Sequence, residues 1–173
     1  LRILGQADAP ALEAFLLGRA ASSMFLRSNA RAAGLVDRGE PLHATYAATF
    51  DGERITAVVA HCWNGLLLLQ CAGDPAPLLR AAVAATGRPV LGFLGPWDQV
   101  VRARHALGLD DAPAAMDSKE DLFDLDLRDL RVPEALEAAM KGAKRVAANP
   151  IRQPFFLMGN PETMVELTSR VPA

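Results

Sequence analysis

Two dipeptides constrain this chain more than anything else in it. Asp51-Gly52 stands between the stretches HATYAATF and ERITAVVAHCW, and Asn64-Gly65 stands between the second of these and LLLLQCA. Both favour the positive φ angles of a tight hairpin turn. Apolar, β-branched runs joined so closely predict three antiparallel strands in a meander.

Around that meander the pattern is mixed. LRILG reads as a short strand, and Asp8 with Pro10 opens a helix carrying Leu12, Phe15 and Leu16 at helical spacing. Ser22 and Ser23 interrupt the pattern, and MFLRSNARAAG resumes it to Gly34, so a second helix with a serine cap is expected. After the meander, strand and helix alternate. Asp74 and Pro75 open a helix with an apolar stripe of Leu78, Leu79, Ala82 and Val83, closed by Gly87. RPVLGFLG is a Gly-rich strand, and Pro96 starts the helix WDQVVRARHAL, which ends at Gly108. In DLFDLDL, Phe123, Leu125 and Leu127 share one face, as in a half-exposed strand. The expected class is α+β (α/β mixed), with a mainly antiparallel sheet flanked by helices.

From about residue 132 the character shifts. VPEALEAAMKGAKRVAANP reads as a helix and linker, and four consecutive apolar residues, Phe155 to Met158, call for burial on this domain or on a partner. The organisation read from the sequence is a domain over 1–131 and a helical extension, or a linker to a partner domain, over 132–173.

Bulk properties narrow the function classes. With 173 residues, 51% of them hydrophobic, the chain can bury one sizeable core. A net charge of -2 argues against nucleic acid or an anionic membrane surface as the main partner. No apolar run approaches the length of a membrane span and no leader opens the chain, so a cytoplasmic location is expected; the start at Leu1 marks the sequence as a possible fragment. Cys62 and Cys71 lack metal or redox spacing and read as buried thiols, and His43, His61 and His105 have no metal-ligand spacing, so no metal is expected.

The order strand, two helices, three-strand meander, helix, strand, helix, strand over residues 1 to about 131 resembles the GNAT superfamily of acyl-CoA N-acyltransferases. The segments SSMFLRSN, AHCWNGLLLLQ and GPWDQV are similar to the amino-terminal half of bacterial proteins built from two GNAT-like domains in tandem. The resemblance implies acetyl-CoA as cofactor, its pantetheine arm wedged between the fourth and fifth strands and its diphosphate on the loop after the fourth strand. Gln70, Cys71, Ala72 and Gly73 would line it. A small-molecule amine would be the acceptor, and His61, in AVVAHCWNG, the base; a core histidine holding one hydrogen bond is the other reading of that residue. A second GNAT-like domain or a further copy of the chain would be the protein partner.

Two positions depart from the family's pattern. Its loop reads Q/R-x-x-G-x-G/A, whereas here Asp74 and Pro75 follow Gly73. Pro75 removes an N–H donor, and the Asp74 carboxylate would cap the free N–H groups where a diphosphate should lie. Two like charges about 4 Å apart repel by roughly 4 kcal/mol at an effective dielectric near 20. Arg104 stands where many members place a tyrosine acid, and an arginine stays protonated. A non-catalytic half, serving as a binding or structural module for a catalytic partner domain, is the alternative these departures open.

Overall fold

The computed structural model describes residues 1–121 and residue 131. All its described elements belong to one compact unit, Leu1–Asp124. Strand β1 (Arg2–Ile3) precedes helices α1 (Ala9–Leu17) and α2 (Met24–Ala33), with short 3-10 turns before each. The strands β2 (Ala44–Asp51), β3 (Arg54–Cys62) and β4 (Leu66–Gln70) follow, then α3 (Ala76–Thr86), β5 (Gly92–Leu94) and α4 (Trp97–Ala106). The five strands form one sheet in chain order, antiparallel from β1 to β4, with β5 parallel to β4. The mixed α+β architecture is therefore as the sequence predicts. The DLFDLDL strand and the elements expected beyond residue 132 lie outside the described residues.

Both hairpins form where their turn residues predict. Gly52 has φ +58° and Gly65 φ +80°, a region that costs a residue with a Cβ about 1–2 kcal/mol. The single parallel pair needs a crossover, and α3 supplies it. Gly87, with φ +63°, ends that helix by returning its N–H to the Val83 carbonyl.

Side chains alternate across the sheet and build two cores. On one face Tyr46, Ala48, Val58, Ala60, Cys62 and Leu68 meet Leu12, Phe15 and Leu16 of α1 and Leu26 of α2. On the other, Ala47, Val59, Leu67 and Leu69 meet Leu78, Leu79 and Ala82 of α3 and Ala103 of α4. β3 has no water on either face from Ala57 to Cys62, all of them buried, which explains its unbroken apolar run.

Ser23 is the N-cap residue of α2, as expected, but its hydroxyl makes no capping bond. Ser22 and Ser23 instead each donate to Gln70 Oε1 at 3.0 Å. A buried amide oxygen costs more to leave bare than a helix end that opens to water, so the serines serve the amide.

Candidate functional site

The parallel ladder couples Leu66–Leu68 with Gly92–Leu94 and stops there, while β4 continues to Gln70. Past Leu94 the chain turns through Gly95 and Pro96 into α4, so a fork opens between the carboxy-terminal ends of β4 and β5. It is tightly filled. A Cβ on Gly95 would lie 2.9 Å from both Cβ and the carbonyl oxygen of Leu69, so only glycine fits that approach. One turn into α4, Gln99 is 6% exposed and its Oε1 accepts the Cys71 N–H at 2.6 Å. From the next turn Arg102 Nη2 donates to the Cys71 carbonyl at 3.5 Å and to Asp98 at 3.0 Å. Both backbone polar groups of Cys71 are thus met by side chains of α4.

The four residues expected to line a cofactor lie together at this fork, with different exposures. Gln70 is buried, and its side-chain oxygen is engaged by Ser22 and Ser23. Cys71 is buried with its Sγ 3.8 Å from the Gly73 carbonyl and 3.7 Å from that of Asp74; burial pushes its thiol up. Only Ala72 and Gly73 face solvent. The start of α3, which would have to present N–H groups to a diphosphate, is short of them. Pro75 and Pro77 have none, and the Ala76 N–H is taken by Asp74 Oδ1 at 2.9 Å.

His61 is at the opposite end of the sheet. It pairs across the ladder with Leu67, whereas Gln70 pairs with Val58, three residues or about 10 Å further along. Its ring is fully buried, with Nδ1 2.7 Å from Thr86 Oγ1 and Nε2 without a hydrogen-bond partner. Burial lowers its pKa; the Pro89 carbonyl opposes that shift and Arg88 adds to it. The backbone around it is pinned by a polar cluster. Arg88 donates to Asp37 Oδ1 at 2.8 Å and to the His61 carbonyl at 3.4 Å. Asp37 also accepts from Thr45 Oγ1 at 2.8 Å and from the Gly39 N–H at 2.9 Å. Burial works to raise the Asp37 carboxyl, but Arg88, Gly39 and Thr45 together outweigh it and hold it at about 2.

Other charged side chains pair with nearby carboxylates. Arg27 and Arg31 both bind Glu13, and Arg104 binds Asp117 at 2.7 Å. Trp97 is 39% exposed at the start of α4. No group of three or more His, Cys, Asp or Glu among the described residues could hold a metal, and no helix among them is long and apolar enough to cross a membrane.

The sequence shows the Asp-Pro pair but gives no sign of Gln99, the serine contacts of Gln70, or the Asp37–Arg88 pair. Pro77 was legible in DPAPLL, since a second imino acid in the first turn removes a second donor. The separation of 28 positions between Cys71 and Gln99 leaves no local signal for that bond. Comparison with family models, with curated proteins and with solved structures finds no match to this chain.

Proposed function

We propose that this chain is a GNAT-like domain of the acyl-CoA N-acyltransferase type that serves as the non-catalytic half of an acetyl-CoA-dependent enzyme. In this reading a catalytic partner domain transfers the acetyl group to an amine, in the cytoplasm, and the present domain supports it. The element order, with one parallel pair closing an antiparallel meander, favours the GNAT-like assignment. The free, buried state of both cysteines fits a reducing compartment.

The observation that carries the non-catalytic role is the bond from the Cys71 N–H to Gln99 at 2.6 Å, inside the fork where a pantetheine arm would have to enter. The Asp74 cap and the two prolines add to it at the neighbouring helix start. A ligand would have to displace a buried amide that already satisfies the backbone, and would meet a carboxylate where its diphosphate belongs. His61, buried and about 10 Å along the sheet, has no path to a substrate at the fork. Calorimetric titration with acetyl-CoA tests the reading. The parent chain should show no heat of binding, and an Asp74→Gly, Pro75→Gly, Gln99→Ala variant should gain it. Micromolar binding by the parent would return the domain to the enzymes.

A further inference from the structure

His61 has an unusual hydrogen-bond inventory for a buried histidine. The Thr86 hydroxyl lies 3.2 Å from the Val83 carbonyl and 2.7 Å from His61 Nδ1. A hydroxyl proton given to Val83 leaves Thr86 to accept from Nδ1–H, and one given to Nδ1 leaves the histidine's proton on Nε2. In either tautomer Nε2 is fully buried and without a hydrogen-bond partner, and a second proton would make both ring nitrogens donors. The Pro89 and Gly65 carbonyls favour the charged form of the ring. Those two carbonyls belong to the segments that seat β5: Pro89 leads into the strand, and Gly65 accepts the Leu91 N–H at 2.9 Å, the first bond attaching it to β4.

We propose that His61 is an acid-sensitive latch: charging the buried ring makes both its nitrogens donors, draws on the Pro89 and Gly65 carbonyls and loosens the seating of β5 on β4, leaving the β2–β3–β4 meander in place. The charged groups acting on the ring are Arg88, from the α3–β5 connection, and Asp37, from the loop before β2. Thr86 of α3, Thr45 of β2 and the hairpin at Asn64-Gly65 add no charge. Asp37 is already neutralised by Arg88 at 2.8 Å, so a cation at His61 finds a like charge nearby and no free carboxylate. The neutral ring is therefore the native one. The unfolded chain binds the proton more readily, and the connection loses stability as pH falls through and below the ordinary histidine range. This inference stands apart from the acyl-transfer reading.

Amide hydrogen exchange, corrected for its intrinsic pH dependence, tests it on the full chain at about pH 7.5 and about pH 5. Residues 87–94 should lose protection several-fold at the lower pH while residues 57–60, bonded only within the β2–β3–β4 meander, keep theirs. In His61→Gln that selective loss should vanish. An equal loss in His61→Gln, no loss in the parent, or joint loss across the sheet would overturn the proposal. If His61→Gln fails to fold, the ring is followed by NMR in a His43→Gln, His105→Gln background. Its titration should fall below that of a free histidine and move together with the Arg88 and Leu91 amides; titration like a solvated ring would equally overturn it.

Discussion

Replacing Gln99 by alanine isolates the contact that closes the fork. Gln99 and alanine differ little in helix propensity, and position 99 is in the first turn of α4, so the helix itself should be nearly indifferent. What changes is the Cys71 N–H. It lies beside a buried thiol and at the end of a buried strand, and it loses an acceptor held at 2.6 Å. A buried donor left unmet costs about 1–3 kcal/mol. The lost side-chain volume adds a packing term, since Gln99 is only 6% exposed. The expected destabilisation is about 2–3 kcal/mol, or roughly 10 °C in melting temperature for a domain of this size. Urea unfolding with an unchanged m-value measures it, with Arg80→Ala, on the exposed face of α3, as the control expected within about 0.5 kcal/mol. A Gln99→Ala loss no larger than the control's would mean that the Cys71 N–H finds water in the fork. The fork would then be open enough for a ligand, and the closed-site reasoning would fail with it.

Other perturbations separate the remaining forces. Asp37→Asn should cost about 2 kcal/mol at neutral pH by weakening a charged hydrogen-bond set. Because the native Asp37 carboxyl is held at about 2, below its unfolded value, its stabilisation is full above that unfolded value and fades as pH falls towards about 2; denaturation curves across that window should be flatter in the variant. Gly65→Ala and Gly52→Ala share a positive φ, but a Cβ at 65 meets the Leu91 side chain at 2.8 Å and the Pro89 carbonyl at 2.9 Å, whereas nothing lies within 4 Å of one at 52. The first should lose about 2 kcal/mol or more and the second about 1, by thermal melts. Cys62, buried and pushed up to about 12, should react with a thiol reagent only at the rate of unfolding.

Local chemistry explains why the meander, the helix starts and the Asp-Pro cap were legible: Asp51-Gly52, Asn64-Gly65 and Asp74-Pro75 act within four residues of themselves. The alternation of the two cores along β2 to β4 followed from the strand period once those turns were placed. The closing of the fork was not legible, because Gln99 and Cys71 meet only when α4 folds back on β4. Nor was the fate of Ser23, where two good local choices compete and a residue 47 positions away decides between them. The pairing of Asp37 with Arg88, 51 positions apart, has the same cause. Trp97 shows the converse: a large apolar residue at a helix start need not face inward, since a folded surface is still largely apolar.

The structure also ranks the changes needed to open the site, and the ranking is itself a prediction. Asp74→Gly alone frees the Ala76 N–H and removes a charge, yet positions 75 and 77 still lack donors and Cys71 remains engaged by Gln99. Adding Pro75→Gly restores one N–H to the loop. Neither change touches the fork, so the double variant should bind inorganic pyrophosphate weakly and acetyl-CoA no better than pyrophosphate. Only with Gln99→Ala added should acetyl-CoA gain over pyrophosphate, because only then does the arm have somewhere to go. Calorimetry of the single, double and triple variants against both ligands reads this order directly. If the double variant already prefers acetyl-CoA, Gln99 is not the barrier, and electrostatics at the helix start alone keeps the parent empty.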